Sequence, residues 1–585
     1  MENARSLKRV KEVILTRVSR NFLISALLFI ASWVIVAFGQ PAWCPQLCLI
    51  SSVCGYALFW LAVQRIKRRA FWWASSWYFC VQLIQLSWLT SIEYQGYYIL
   101  GVYLFLCAGL GLQFGVLTHF LLKGQRPCLY RVIAAASLWT LLEWCRLFII
   151  CGFSWNPVGI AMTGSTYYLQ FASVFGIYGL TFWVVLANGI FFQALAFRSN
   201  FRLIGLWIVV VMIPCIYGYC ALHGPWSRGH SQDKPELSVG LVQTGLLPSQ
   251  KVPLPGKSAD FIAPIDQWKR ILSNLHAQNK KWDLIVLPEA VVPMRSDFCV
   301  YPYEMVYSEL KQIFNEDLTS YAPPLKPPYA QFRYLQGAPV LCVSNGYLAQ
   351  LIANMYKSEI VLGLDHYDPV SGNNYNSAFY LSPGKQSMQR YDKQVLLPLA
   401  EYLPFRWLKA LTKRYGITEF FTHGKQASVM GERYPFSLSI CYEETFPHLI
   451  RSGRLQGADL FINVTNDNYY PFSKLPEQHF SHARVRAVEN GVFLLRACNT
   501  GVTAAVDPFG GVVARLGDGG LGSEVLQGVL TVTVPLESHK TLYMLWGDAG
   551  IICLAISGLF AFAFFQKKSS SLASAVDLNL KKMDL

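Results

Sequence analysis

Long apolar runs separated by short basic loops fill the first 223 residues of the chain, whereas residues 224–540 alternate short apolar segments with charged stretches and turns. A bilayer core of about 30 Å is crossed by roughly 20 apolar residues in a helix. Runs near 22–38, 43–63, 70–91, 97–122, 129–150, 168–196 and 202–222 approach or exceed that length, and another lies near 543–565. The pattern predicts a membrane domain of seven transmembrane helices over 1–223 and a water-facing domain over 224–540. A C-terminal transmembrane helix over 541–566 and a tail over 567–585 complete the expected organisation.

Lysine and arginine resist translocation and so mark the cytoplasmic loops. Arg5, Lys8, Arg9, Lys11, Arg17 and Arg20 precede the first run, and Arg65, Lys67, Arg68 and Arg69 follow the second. Lys123, Arg126 and Arg131 follow the fourth, Arg198 and Arg202 the sixth, and Lys567 and Lys568 the eighth; the loops after the first, third and fifth carry none. This alternation places both termini in the cytoplasm and residues 224–540 outside it. The basic flank of the first run is like that of a signal peptide, but no small-residue cleavage site follows, so the run reads as an uncleaved anchor. Within the runs, Gly111 and Gly115 are spaced for close helix packing. Glu143 and Arg146 stand three apart, on one helical face, where they are placed to brace the outer loop Cys151–Ser165.

In the water-facing block, residues 237–243, 284–287, 436–440 and 459–464 read as strands, and 264–280 and 477–490 as helices. Strands alternating with helices predict a layered α/β domain, with ligands gathered at strand ends. The stretch from about 301 to 356, with Pro323-Pro324 and Pro327-Pro328, reads as an irregular loop, a lid or an inserted ornament. Phe405, Trp407, Leu408 and Leu411, together with Lys409, Lys413 and Arg414, read either as an amphipathic helix for the membrane surface or as a helix packed on the domain's own core.

Composition sharpens this picture. Only 15% of residues are charged and 53% are hydrophobic, against about 25% charged in soluble domains. That excludes a disordered chain. The formal charge of +15 is scattered among membrane loops rather than gathered on one stripe, so nucleic acid is not an expected partner. Fifteen cysteines, most of them inside apolar runs and none in a CxxC pair, do not make a disulfide framework. Cys44 and Cys48 are near enough in sequence to be bridged.

Three residues at expected strand ends carry candidate chemistry. Cys441 follows a strand and precedes Tyr442-Glu443-Glu444-Thr445, so it stands at a strand-to-helix turn, where a helix N-terminus favours the thiolate. Glu289, after Leu287-Pro288, is placed to act as a base toward a thiol, and Lys393, before Val395-Leu396-Leu397-Pro398, to stabilise an oxyanion. Each also has an ordinary reading: a buried structural cysteine, a loop-capping glutamate, a snorkelling lysine. The HxxH spacing of His479 and His482 has no evident third ligand, and no metal is expected.

The ordered set is more specific. Leu287-Pro288-Glu289, then Tyr391-Asp392-Lys393 with Pro398-Leu399-Ala400-Glu401-Tyr402-Leu403-Pro404, then Ile440-Cys441-Tyr442-Glu443, resembles the Glu-Lys-Cys triad of the nitrilase superfamily. Gln243 and Asn466-Asp467 fit the same pattern. With seven runs before this block and one after it, the chain resembles the apolipoprotein N-acyltransferase family over nearly its whole length. The matching residues include Leu138-Trp139-Thr140, Glu143-Trp144, Arg146, Gly152-Phe153-Ser154-Trp155, Gln478-His479, Ala483-Arg484, Arg486-Ala487 and Glu489. After Gln243 the family continues with Gly-Asn and a later Lys-Trp pair, where this chain has Thr244-Gly245 and Lys251-Val252.

The resemblance implies a nitrilase-like αββα sandwich on the periplasmic side of a bacterial inner membrane, carried by eight transmembrane helices (7+1). It implies acyl transfer from a phospholipid through a thioester on Cys441 to the α-amine of an S-diacylglyceryl lipoprotein. Glu289 would be the base and Lys393 the oxyanion donor, with Glu401, Tyr442 and Glu443 in support and neither cofactor nor metal. The aromatic loop Tyr469-Tyr470-Pro471-Phe472 is an expected acyl contact, and the protein is expected to act as a monomer. Two other readings compete: a membrane-tethered nitrilase-type amidohydrolase, in which water resolves the acyl-cysteine, and a non-enzymatic transporter or receptor. Transporters often carry internal repeats, and no convincing repeat is present.

Overall fold

In a computed structural model of the chain, the structure describes residues 21–64, 69–123, 128–196, 200–224, 235–405, 420–519 and 522–583, with side chains to 568. The N-terminal part is a bundle of α1 (Asn21–Phe38), α2 (Pro45–Val63), α3 (Ala70–Gln85), α4 (Tyr98–Leu122), α5 (Leu129–Cys145), α6 (Ala172–Ala196) and α7 (Phe201–His223). Among the described residues, six helices are long and apolar enough to cross a membrane: α1, α2, α4, α6, α7 and the C-terminal segment Asp548–Lys568. α3 and α5, at 16 and 17 residues, are shorter than the runs at 70–91 and 129–150 led one to expect. Both lead into 3-10 turns, Ser87–Thr90 and Arg146–Phe148, and polar side chains from the last turns of both helices hold the loop that follows α5. Asn156 Nδ2 donates to Gln82 Oε1 at 2.7 Å and to Gln85 Oε1 at 2.9 Å, and the Val158 N–H donates to Glu143 Oε1 at 2.9 Å.

Gly111 and Gly115 pack α4 onto α3; a Cβ at Gly111 would stand 2.6 Å from the Ser75 carbonyl oxygen. Glu143 and Arg146 do pair, at 3.4 Å, and Glu143 also accepts from Trp139 Nε1 and Thr181 Oγ1. The pair therefore braces the loop beyond α5. Cys44 and Cys48 are both free thiols.

The C-terminal part stacks two six-stranded sheets. The first runs β15-β1-β2-β6-β7-β8, from β1 (Glu236–Gln243), β2 (Leu284–Val286), β6 (Glu359–Asp368), β7 (Asn373–Leu381), β8 (Gln389–Asp392) and β15 (Gly528–Pro535). The second runs β14-β13-β12-β11-β10-β9, from β9 (Val429–Met430), β10 (Phe436–Ile440), β11 (Leu460–Thr465), β12 (Phe493–Cys498), β13 (Ala504–Val506) and β14 (Val512–Arg515). β1, β2 and β6 are parallel, as are β10, β11 and β12. Parallel strands buried on both faces read as continuous apolar runs, which is why 284–287 and 460–464 are uninterrupted or nearly so.

Between the sheets, Leu237, Val239, Leu284, Val286 and Val361 meet Phe436, Leu438, Ile440, Ile462, Val464 and Leu495. α8 (Pro264–Ala277), α9 (Tyr303–Phe314) and α10 (Asn345–Tyr356) cover the first sheet's outer face through Trp268, Leu272, Leu310, Leu348 and Ile352. α11 (Pro447–Leu455) and α12 (Leu475–Asn490) cover the second through Ile450, Phe480, Ala483 and Ala487. The result is an αββα sandwich.

The stretch 301–356 differs from its expectation as an irregular loop. It holds α9, α10 and a small sheet ordered β3-β5-β4, from β3 (Tyr301–Pro302), β4 (Ala330–Leu335) and β5 (Ala338–Val343). Its apolar positions, Val306, Leu310, Phe314, Val343 and Leu348, are core, and burying them outweighs the turn signals of the prolines. In the expected amphipathic segment, Phe405 is exposed, while Trp407, Leu408, Lys409, Leu411, Lys413 and Arg414 lie outside the described residues.

Candidate active site

Glu289, Lys393 and Cys441 each follow the C-terminal end of a strand: β2, β8 and β10 respectively. The structure brings all three together. Lys393 Nζ lies 3.0 Å from Glu289 Oε1 and 2.8 Å from Glu401 Oε1. Asn376 Nδ2, from β7, donates to the same two oxygens at 2.7 and 2.8 Å. The Leu397 N–H donates to the other Glu401 oxygen at 2.8 Å, so this carboxylate is fixed by its own loop as well as by Lys393.

Charge and burial set the protonation states. Burial disfavours the Lys393 ammonium, but attraction from Glu289 and Glu401 exceeds that cost and holds its pKa well above the ordinary lysine value. Burial pushes the Cys441 thiol well above its ordinary value, Glu289 adds to that shift, and Lys393 opposes it. The help expected from a helix N-terminus is therefore outweighed by burial. Residues Cys441–Thr445 form a 3-10 turn and the α-helix starts only at Pro447, so no helix dipole offsets the burial. Cys441 sits at φ +53°, in the left-handed region that non-glycine residues rarely occupy, a strained elbow of the kind that collects at reactive sites.

Three hydrogen-bonded groups hold that elbow. Glu443 accepts from the Ile440 N–H at 2.8 Å, the Val395 N–H at 3.1 Å and the Tyr391 hydroxyl at 2.9 Å, and also from the Gln394 N–H. It thus ties the cysteine turn to the loop that carries Lys393. Burial pushes its carboxyl up to about 7, although these donors pull the other way. The Cys441 carbonyl accepts from Asn463 Nδ2 at 3.3 Å and lies 3.2 Å from His479 Nε2. Behind it, Arg496 pairs with Glu444 at 3.1 Å and Asp467 at 3.3 Å, and His479 Nδ1 lies 2.9 Å from Asp467. Burial would raise Asp467, but His479 and Arg496 outweigh it and hold the carboxyl below its ordinary range. Both His479 nitrogens are thus engaged by protein, and the rings of His479 and His482 both pack on Trp155.

Tyr442 points away from the triad, toward the membrane bundle. Its hydroxyl donates to the Gly152 carbonyl at 3.2 Å and its ring stacks on Trp155. Trp155 Nε1 donates to Gln478 Oε1 at 2.9 Å, Gln478 Nε2 donates to the Gln85 carbonyl at 2.7 Å, and Arg484 reaches the Thr163 carbonyl at 3.0 Å. At the far side, Glu489 Oε1 accepts from the Ile177 N–H at 2.8 Å, just past the break in α6 at Gly176 (φ +66°). The Gly152–Trp155 loop therefore lies directly behind the Cys441 turn. Tyr469, from the aromatic loop, is 44% exposed and lies within electrostatic reach of Glu289 and Glu401. Phe472 beside it is largely exposed.

Sequence reading missed Asn376, Asn499 and the use made of Lys251. No spacing marks Asn376, which β7 delivers across β6 from Asp365, and Gln243 turns out to hold the carbonyls of Ser523 and Leu526 rather than the triad.

Two family descriptions match the chain: carbon-nitrogen hydrolase over residues 238–542, and the apolipoprotein N-acyltransferase N-terminal domain over 36–190. The apolipoprotein N-acyltransferase of Chlamydia pneumoniae is 31% identical over 547 residues, covering 90% of this chain and 95% of that protein. That of Chlamydia trachomatis serovar D is 30% identical over 560 residues, covering 92% and 97%. The crystal structure of Saccharomyces cerevisiae Nit3, of the nitrilase superfamily, aligns with 53% of this chain and 93% of its own at 18% identity, with a TM-score of 0.33.

Proposed function

The chain belongs to the apolipoprotein N-acyltransferase family, and from that premise we propose that it carries a fatty acyl chain from a membrane phospholipid, as a thioester on Cys441, to a lipoprotein. The acceptor is the α-amine of the N-terminal S-diacylglyceryl cysteine. The observation that carries this reading is the Glu289–Lys393 pair at 3.0 Å, whose two charges both act on the buried Cys441 thiol.

In the first half-reaction, Glu289 takes the Cys441 proton as the thiol attacks the donor ester carbonyl. Lys393, held cationic by Glu289 and Glu401, stabilises the tetrahedral oxyanion. The carbon–oxygen bond breaks, Glu289 returns the proton to the departing lysophospholipid, and the acyl group remains on sulfur. In the second, the acceptor amine attacks the thioester through a like intermediate, forming an amide and releasing the thiol. A thioester suits this role because an amine attacks it more readily than the parent ester. Glu401 supports Lys393, while Tyr442 and Glu443 shape the nucleophile turn.

The same reading assigns eight spans, with α3 and α5 crossing alongside the six longer helices, both termini cytoplasmic and the sandwich periplasmic at a bacterial inner membrane. Purified protein is incubated with phospholipid, with and without a diacylglyceryl peptide, and followed by intact-protein mass spectrometry. An acyl adduct on Cys441 that persists until peptide arrives, and then leaves as N-acyl peptide, is the expected result. Acyl release to water at the same rate without peptide would instead indicate an amidohydrolase-type enzyme.

A further inference from the structure

Lys251 closes the short helical turn Pro248–Lys251 after β1, and it is only 6% exposed. A lysine so deep usually faces a carboxylate. This one spends its N–H groups on neutral oxygens: the Ala290 carbonyl, the Val291 carbonyl at 3.2 Å and Asn499 Oδ1 at 2.9 Å. Asn499 in turn donates from Nδ2 to the Glu289 carbonyl at 2.6 Å. The carbonyls of three successive residues, Glu289, Ala290 and Val291, are thus each taken by one member of the Lys251–Asn499 pair. Burial lowers the lysine to about 7, against the attraction of Glu289 and Asp365.

The turn being held is an unusual one. Ala290 has φ +41°, a left-handed conformation that a residue with a Cβ does not adopt unaided. From the other side, the Val291 N–H donates to the Gly363 carbonyl at 2.9 Å and the Gly363 N–H to the Pro288 carbonyl at 3.1 Å. A side chain at Gly363 would begin 2.5 Å from the Glu289 Cα. Glu289 therefore hangs from a turn pinched between β6 and the Lys251–Asn499 pair.

We propose that Lys251 is a positioning residue of the transfer reaction: through the Ala290 and Val291 carbonyls, and with Asn499 on the Glu289 carbonyl, it locks the 289–291 turn so that the Glu289 carboxylate stays aligned with Lys393 and Cys441. The proposal rests on Glu289 being the base. Lys251 acts on the backbone behind the carboxylate and does not touch the acyl group. Misplacing a reacting group by about 1 Å can lower a rate about 100-fold.

The test follows acyl-cysteine formation by mass spectrometry on the full-length protein, with phospholipid donor varied, in wild type, Lys251→Met, Asn499→Ala and the double variant. Lys251→Met keeps the aliphatic stem and removes every donor; Asn499→Ala is a second route to the same turn that leaves the lysine in place. The expected result is a loss of about 10- to 100-fold in the maximal rate for Lys251→Met, at unchanged half-saturating donor. A smaller loss is expected for Asn499→Ala, with a double variant no more than about threefold slower than Lys251→Met, since both act through one turn. Lys251→Gln, with two donors on a shorter stem, should recover part of the rate. Wild-type rates in Lys251→Met or Asn499→Ala, losses that multiply in the double variant, or a change confined to donor affinity would overturn the proposal. Absence of any Cys441 adduct in the wild type would instead overturn the transferase reading on which it stands.

Discussion

Two buried ion clusters flank Cys441, each with a pair of carboxylates about a cation and each finished differently. In front, Glu289 and Glu401 share Lys393 and Asn376, with side chains 1–12% exposed. Behind, Glu444 and Asp467 share Arg496 and His479, at 0–2%. The front cluster holds two carboxylates against one cation and leaves the imbalance beside a thiol. The rear cluster places its two carboxylates against a guanidinium and an imidazole, and binds the Cys441 carbonyl. Burying charges is costly, and removing one partner of such a group leaves an uncompensated ion worth about 3–5 kcal/mol. Burial thus has two effects: in front it sets the charge states of the groups beside the thiol, and behind it fixes the backbone that presents the sulfur.

Substitutions in the two clusters should therefore fail in different ways. The largest effect belongs to the proposed nucleophile they flank: Cys441→Ala should form no acyl adduct and transfer nothing, with an unchanged melting profile. Glu289→Gln, in front, should slow adduct formation by about 100- to 10,000-fold while still unfolding cooperatively, as read by mass spectrometry and thermal denaturation. Arg496→Met, behind, should do the reverse. It strands Glu444 and Asp467, lowers stability by about 3–5 kcal/mol, and shows in the melting curve before it shows in the rate of the folded fraction. Equal loss of Tm in Glu289→Gln and Arg496→Met would erase the distinction.

The smallest effect is expected at a third buried carboxylate, on the membrane side of α12. Burial pushes Glu489 up to about 8, although Arg486 opposes the shift. Its ordinary value is near 4.5, so between about pH 4.5 and pH 8 the native state binds a proton that the unfolded chain does not. The resulting stability is present at low pH and is lost as pH rises through that window. Wild-type Tm should accordingly fall more between pH 5 and pH 8 than that of Glu489→Gln. The amide can occupy this place because Glu489 Oε1 carries the bonds to Ile177 and Arg486 while Oε2 has none. Parallel Tm–pH curves would show that the group does not titrate as described.

Much of the sandwich was legible because the buried strands are short apolar runs and covering helices such as α8, α9 and α11 carry a periodic apolar stripe. The runs at 237–243, 284–287, 436–440 and 459–464 all fall on observed strands. The three candidate residues were legible too, since strand ends order them along the chain. The hairpin Ala330–Val343 was not. Its strands pair with one another and with β3 at the margin, and β4 keeps exposed side chains such as Phe332 and Tyr334, so no inward-facing alternation announces it. Asn376, Asn499 and Lys251 escaped for a related reason: they act on groups tens to hundreds of residues away, and for Lys251 and Asn499 those groups include backbone carbonyls, which every residue possesses.

Taken alone, the sequence determined where apolar helices give way to a layered domain, and which carboxylate, ammonium and thiol stand at strand ends, because both follow from local patterns of hydrophobicity. Only the tertiary structure decided the state of those groups. The thiol, which a helix terminus would favour as thiolate, is instead pushed toward its neutral form by burial, and Lys393 stays charged because two carboxylates from separate loops converge on it. Desolvation and Coulomb attraction depend on what surrounds an atom in space, and that is settled only when distant strands are brought side by side.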